Sequence, residues 1–281
     1  MLNIVDITED NMEKYHDIIP EQYLQDIGRE YIRGIAGVDS DTNEPCGGMI
    51  WEVHNLEQDD LENKAEILWF SAKNTEDAGV LLDVFDIMTG DEDVISSYFE
   101  MEGLSDEETA ALKKAGFSTE QAEGTDVYVT VEETGKLDIA KKKAENYVVS
   151  LSKVSSFKFK AGIMNSVYHG RYGILGDLPY LPMSRFDSDL SCCVMTDDKV
   201  AGLLLVHLLK PALYRVELLF SEELDAAISV LNMLRFSIHA AKEKCDPEDE
   251  ILIRRHNRTV TELCKKLFPE KKGKQVIRGT R

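Results

Sequence analysis

In AEILWFSAKNTEDAGVLLDVF, Ala65 to Phe85, the apolar run Ile67 to Phe70 reads as a buried strand. A short polar loop follows, and AGVLLDVFDIM continues as an amphipathic helix. A strand that feeds a helix through a tight loop is a common seat for a phosphate, because the first helical N–H groups have no partner of their own. Here the loop reads KNTED, with Glu76 and Asp77 where glycines would allow a close approach. Two carboxylates against a phosphate imply that this copy of the seat has lost its anion.

A second copy of this segment follows later in the chain. Shifted by 150 residues, LWFSAKNTEDAGVLLDVF lies over LLFSEELDAAISVLNMLR, so that Leu68, Phe70, Ser71, Val80 and Leu81 face Leu218, Phe220, Ser221, Val230 and Leu231. Upstream, GGMIWEV (47–53) parallels AGLLLVH (201–207), and downstream LKKAGF (112–117) parallels CKKLF (264–268). The first copy reads as helices around 9–17 and 21–32, strands over 49–54 and 66–71, a helix over 76–88 and a strand over 94–101. Ser105 and Glu108 then form a capping box for a helix that Gly116 stops, and TDVYVTVEE alternates as a closing strand. The second copy repeats this order from LSCCVMTDDKVAGLLLVHLL, a hairpin turning at DDK. A lysine-rich connector covers roughly 136–160, and a Gly/Pro-rich segment, HGRYGILGDLPYLPMSRFD, precedes the hairpin.

Charge divides the chain in the same way. Residues 1–140 hold 35 acids and 8 bases, a balance of −27, and residues 141–281 hold 17 acids and 24 bases, +7; the whole is −20. The expected domains are therefore 1–140, strongly acidic, and 141–281, mildly basic. An acidic half favours cationic partners and a basic half favours phosphates. The negative field, with no basic-aromatic module, argues against nucleic acid. No apolar run of about 18 residues predicts a membrane span, and MLNIVDITED lacks a secretory h-region. Five cysteines without a C-x-x-C pair read as reduced thiols of a cytoplasmic protein, and the histidines show no metal spacing, so no metal is expected. There is no phosphate-binding loop of the GxxxxGK type, dinucleotide fingerprint or Ser-His-Asp pattern.

The order of segments is familiar: a hairpin bearing GG-x-I-x-x-V, a strand bearing AEI, a loop, a helix V-L-L-x-x-F, a strand, a helix ending KKAGF and a last strand. It resembles the GNAT superfamily of acetyl-CoA-dependent N-acyltransferases, as two tandem copies covering most of 1–135 and, more loosely, 190–281. The resemblance implies an α/β (α+β) fold of two GNAT-like units, each a mixed, mostly antiparallel twisted sheet with helices on both faces. It also implies a groove where the fourth strand splays from the fifth, and a loop whose backbone N–H groups wrap the pyrophosphate of the co-substrate, acetyl-CoA or another acyl-CoA.

That family pattern is Arg or Gln, two residues, Gly, one residue, then Gly or Ala. In the first copy Lys73 takes the Arg place, Glu76 the first Gly place and Ala78 the last small place. In the second copy Glu223, Ala226 and Ile228 fill these places, and the C-terminal bases in IRRHNR and EKKGKQVIRGTR suit a CoA phosphate. The resemblance thus implies cofactor contacts at Phe220, Ser221, Ala226, Ala227, Ser229 and Asn257, with Ser71, Lys73, Ala78 and Gly79 as the weaker counterpart. The second copy is the favoured binder.

Amine acetylation needs a carboxylate, or a water it orients, to remove a proton. Glu66 and Glu217, isolated acids at the starts of apolar strands, are the candidate catalytic residues; in the 150-residue register they fall on opposite sheet faces. The family's frequent tyrosine acid is replaced by Leu112 and Leu263, and Cys264 is the neighbouring thiol. The expectation is direct acyl transfer to a small-molecule or peptide amine, a cationic amine being favoured by the acidic half, by a monomer or weak dimer. The alternative is a catalytically inactive GNAT-like acyl-CoA-binding or interaction module.

Overall fold

The computed structural model describes residues 2–54, 62–168, 182–222, 225–255 and 258–281. The chain forms two compact units, Met1–Thr125 with Lys274–Arg281, and Asp126–Gly273. The acidic EQDDLE run lies largely outside the described residues, as does the segment 169–181.

Unit 1 begins with β1 (Leu2–Asp6), a 3-10 turn at Met12–Tyr15 and the one-turn helix α1 (Glu21–Leu24). There follow β2 (Ile32–Asp39), β3 (Pro45–His54), β4 (Lys64–Ala72), α2 (Thr75–Asp91), β5 (Ser96–Glu102), α3 (Asp106–Lys114) and β6 (Ser118–Thr130). The long helices expected over 9–17 and 21–32 are therefore absent. Gly28, at φ +91, breaks the second of them, and the chain passes into β2. That strand is hidden in the sequence by Gly34 and Gly37, which interrupt its alternation. They are needed because an added Cβ would meet Ile27 and Ile7 at one site and Leu2 at the other, at 3.0–3.4 Å. The Ser105–Glu108 capping box and the Gly116 stop, at φ +94, form as the sequence implies.

Unit 2 contains α4 (Val131–Gly135), β7 (Val148–Ser150), α5 (Ser156–Tyr168), β8 (Cys192–Thr196), β9 (Lys199–Lys210), β10 (Leu213–Ser221), α6 (Ala226–Lys244), β11 (Glu250–Arg254) and α7 (Arg258–Leu267). β12 (Lys274–Thr280) ends the chain. The expected closing strand stops at Thr130, where a second capping box with Glu133 starts α4. The β8–β9 hairpin turns on Asp197 and Asp198, both left-handed (φ 49 and 63), as a two-residue turn with this twist requires.

Each unit completes its sheet with the last strand of the other repeat. β12 pairs antiparallel with β5, from Val276↔Glu102 to Thr280↔Tyr98. The Asp126–Thr130 part of β6 pairs antiparallel with β11. In unit 1 the sheet is covered on one face by α2 and α3, which enclose Trp51, Ile67, Leu82, Phe85, Phe99 and Leu112. On the other face Tyr15, Ile19, Leu24 and Ile27 pack on Ile50 and Ala36. In unit 2, Met233 and Ala241 of α6 cover Cys192, Val194, Leu204 and Val206.

The repeat is real but its register differs from the simple shift of 150. Both fourth-position strands carry a β-bulge against their hairpin partner, at Leu68 in β4 and at Glu217 in β10. Superposing the bulges equates Leu68 with Glu217, a shift of 149, and then every flanking pair corresponds: Ile50↔Trp69 with Leu205↔Leu218, Trp51↔Ile67 with Val206↔Val216, and Glu52↔Glu66 with His207↔Arg215. Along the helices the N-caps Asn74 and Asp225 correspond at a shift of 151. The Phe-Ser match at 150 was a near miss between these two registers. A one-residue slip exchanges sheet faces, so the inference that Glu66 and Glu217 point opposite ways is corrected. Glu66 meets His54, which alternates with the α2-facing Trp51 and Val53. Glu217 meets His207, next to the α6-facing Val206. Both acids lie on the face turned away from the following helix.

The strand exchange has a direct consequence. Both tryptophans, Trp51 and Trp69, belong to unit 1, whereas the fully buried Val276 belongs to the last strand of the sequence. Val276→Ala is expected to lower unit 1 stability by about 2 kcal/mol, read as an earlier denaturant midpoint in tryptophan fluorescence. An unchanged midpoint would contradict the assigned pairing.

Candidate functional site

The parallel strands of each unit pair only over their first residues. β4 and β5 are joined from Lys64↔Ser96 to Ile67↔Phe99, directly before the Leu68 bulge. β10 and β11 are joined from Leu213↔Glu250 to Arg215↔Leu252, just before the Glu217 bulge. Beyond these points β4 runs on to Ala72 and β10 to Ser221, each held by its hairpin partner alone as far as ladder pairs go. An extra residue in one strand bends it and increases its twist, so each bulge turns its strand away from the parallel neighbour. Corresponding residues show that unit 2 parts earlier: Arg215 is the counterpart of Glu66, and unit 1 pairs one residue further, at Ile67.

Past each slot stands a helix N-terminus, and here the units differ. In unit 1 the Asn74 side chain accepts hydrogen bonds from the Glu76 and Asp77 N–H groups at 2.9 Å each, and its amide donates to the Asp77 carboxylate at 2.8 Å. Two of the first-turn amides are thus already used, and Glu76 and Asp77 add two negative charges to that turn. In unit 2 the N-cap Asp225 makes no side-chain cap bond among the described residues, and the first turn of α6 carries no acid. Its carbonyl accepts from Ile228 and Ser229, while Ala226 and Ala227 present small side chains at the opening. The connection is also longer: only Lys73 separates β4 from its cap residue, against Glu222 to Leu224 after β10.

At the base of the unit 2 slot, Glu217 is clasped from two sides. His207 Nδ1 lies 3.2 Å from its Oε1, and Arg215 Nε donates to the same oxygen at 2.9 Å, with a second guanidinium nitrogen closing the pair. Burial alone would push the Glu217 carboxyl up. The Arg215 charge and the hydrogen bonds from His207 and Arg215 outweigh it and hold the group at about 2 instead of the usual 4.5. In unit 1, Glu66 Oε2 meets His54 Nε2 at 3.3 Å and accepts from the Tyr98 hydroxyl at 3.2 Å, and the Tyr98 ring stacks on His54.

Solved structures share this architecture over the whole chain. A tandem GNAT protein from the clavulanic acid biosynthesis pathway matches 100% of this chain and 98% of its own, with a TM-score of 0.63 at 8% identity. The fold is that of tandem GNAT proteins. A GCN5-related N-acetyltransferase from Sphaerobacter thermophilus matches 100% of this chain and 95% of its own, TM-score 0.60 and 9% identity. One from Kribbella flavida matches 84% and 86%, TM-score 0.52 and 11% identity. No family model and no curated protein matches the sequence. The GNAT architecture therefore stands on topology, with identities too low to carry residue roles across.

Within the GNAT fold the sequence candidates separate. Phe220 and Ser221 close β10, paired with Leu203 and Gly202; Ala226 and Ala227 open α6. Ser229 is buried in the next turn with its N–H bonded to Asp225, so its amide belongs to the helix. Ser71 pairs with Gly48 at the end of β4, and Lys73 is exposed. Ala78 is core beneath α2, while a Cβ on Gly79 would meet open space. Asn257 and Glu223 lie outside the described residues. Cys264 is buried, and desolvation pushes its thiol up to about 11 despite the nearby Arg255 charge, which keeps it a protonated core residue. Leu112 is likewise core.

His207, Arg215, His54, Tyr98 and the Asn74 cap were not singled out from the sequence. Asn74 had a readable signal, since N-T-E-D is a capping residue with an acid three places on. Arg215 had one as well, standing two places before Glu217 on the same strand; His207 had none, since only the hairpin register sets it opposite Arg215.

The depressed Glu217 carboxyl links stability to pH. Its folded value lies below the unfolded one, so its stabilisation is complete above about pH 5 and disappears as the pH falls towards 2, on the order of 3 kcal/mol in all. Between pH 7 and pH 3 the wild type should lose about 2 kcal/mol more than Glu217→Gln, measured by denaturant unfolding followed by circular dichroism. Equal losses would contradict the ion pair.

Proposed function

We propose that this protein transfers an acyl group from an acyl-CoA to a primary amine, and that unit 2 holds the acyl-CoA. The observation that carries this reading is the α6 N-terminus, free of first-turn acids and of a side-chain cap among the described residues, standing beyond a slot between parted parallel strands. A thioester arm needs a narrow passage lined by backbone donors and acceptors. A pyrophosphate needs converging N–H groups, small side chains and the positive end of a helix dipole. β10 from Leu218 to Ser221 meets the first need, and the Ala226–Ala227 turn meets the second. Among the described residues Glu222 and the N-cap Asp225 are the acids just before that turn, and the Asp225 side chain makes no cap bond to its amides.

The chemistry follows from the donor. The amine lone pair attacks the thioester carbonyl carbon, the C–S bond breaks, and the amine's proton leaves for the base and finally for the CoA thiolate. The acceptor is a small-molecule or peptide amine, with cationic amines favoured by the −27 balance of residues 1–140. Unit 1 keeps the parted strands but not the phosphate seat, because Asn74, Glu76 and Asp77 fill it.

Thermal unfolding with acetyl-CoA tests this. At a ligand concentration about 100 times Kd the wild type should gain roughly 2.7 kcal/mol. Ala227→Glu, an exposed position, places in α6 the kind of acid that α2 carries and should abolish the gain. Asn74→Ala should cost about 1 kcal/mol of stability and leave the gain intact. A wild type that ignores acetyl-CoA, or an unaffected Ala227→Glu protein, would overturn the reading.

A further inference from the structure

We infer that His207 is the base that takes the amine proton, and that Glu217 is its positioning residue; the inference rests on the acyl-transfer reading above. The geometry comes first. Glu217 is the bulged residue of β10, two places beyond the last pair with β11, so its carboxylate stands where the slot opens. His207 sits one strand away on the same face, in the ladder position opposite Arg215, and is 4% exposed. Both side chains converge on one oxygen, Glu217 Oε1, at 3.2 Å and 2.9 Å.

The division of labour follows from hydrogen-bond chemistry. An ionised carboxylate only accepts, so Nδ1 of His207 must carry the hydrogen that faces Glu217. With Nδ1–H turned to Glu217, Nε2 is the ring nitrogen assigned to receive a proton from the substrate. Glu217 is poorly suited to that task itself. A carboxylate locked to Arg215 and held at about 2 has little affinity for a proton from an amine. The same clasp makes it a good anchor, because it fixes the tautomer and stabilises the imidazolium once formed.

A comparison inside the chain supports the assignment. At the places of His207, Arg215 and Glu217, unit 1 has Glu52, Glu66 and Leu68. The unit whose helix N-terminus is self-capped thus lacks the histidine at that place, whereas the unit with the acid-free first turn has it. Unit 1 has its own imidazole–carboxylate contact, His54 with Glu66, but Glu66 there takes the place of Arg215 and no acid stands at the bulge.

The reaction balances as follows. The amine nitrogen forms a bond to the thioester carbonyl carbon while His207 Nε2 receives the N–H proton. The tetrahedral intermediate then expels the CoA sulfur, and the imidazolium returns the proton to that thiolate, leaving amide, free thiol and neutral His207.

Turnover of acetyl-CoA with ethanolamine, putrescine and lysine amide as acceptors, read as thiol release, tests the assignment. His207→Gln should lower kcat at least 100-fold, leave KM for acetyl-CoA within threefold, and keep the thermal shift with acetyl-CoA that reports a folded unit. Added imidazole should restore at least tenfold of the loss. Glu217→Gln retains an acceptor for Nδ1–H and should lose less than His207→Gln. A His207→Gln protein within threefold of wild type, a Glu217→Gln loss larger than that of His207→Gln, or no imidazole rescue would each overturn the assignment alone. A wild type inactive with all three amines would instead overturn the acyl-transfer reading.

Discussion

One extra residue in each fourth-position strand governs the architecture. A bulge re-aims the backbone between one pair and the next. In β4 the bulge at Leu68 follows the last pair with β5, and in β10 the bulge at Glu217 lies just beyond the last pair with β11. The strand stays with its hairpin partner and leaves its parallel one, which is the weaker attachment. The parallel neighbour is not left bare by this: β5 is bound on its other edge by β12, and β11 by β6. The exchange of closing strands anchors the far wall of each slot while the near wall turns away.

From this shared scaffold the two units diverge through few residues. Unit 1 shortens the loop after the strand and closes the helix with Asn74, whose side chain uses the Glu76 and Asp77 amides. Unit 2 keeps a longer loop and begins its helix with alanines. A helix end that has satisfied its own donors has nothing left for an anion. The same contrast holds at the bulge, where an acid held by a cation and an imidazole in unit 2 stands in the place of a leucine in unit 1.

Much of this was legible in the sequence. The strand–loop–helix segment, the capping box at Ser105, the DDK turn and the duplication follow from local patterns, and local patterns persist in the fold. The two acids that open the first copy's helix, Glu76 and Asp77, were also readable, although the Asn74 cap that takes up their amides is a structural finding. What was not legible depends on pairing. Shifts of 149 along the strand and 151 along the helix average to 150, so the sequence match looked uniform and reversed the face of one glutamate. β2 escaped notice because its glycines, required by the packing of Ile7, Ile27 and Leu2, erase the alternation that marks a strand. The His207 side of the clasp around Glu217 is invisible because only the hairpin ladder sets His207 opposite Arg215.

The claim on which the functional account turns is that one of two similar slots, the one in unit 2, receives the acyl carrier. Amide hydrogen exchange followed by mass spectrometry, with and without acetyl-CoA, tests it directly. Peptides spanning 216–232 should exchange more slowly with the ligand, and peptides spanning 66–82 should be unchanged. Slowing confined to 66–82, equal slowing in both segments, or slowing in neither would contradict it.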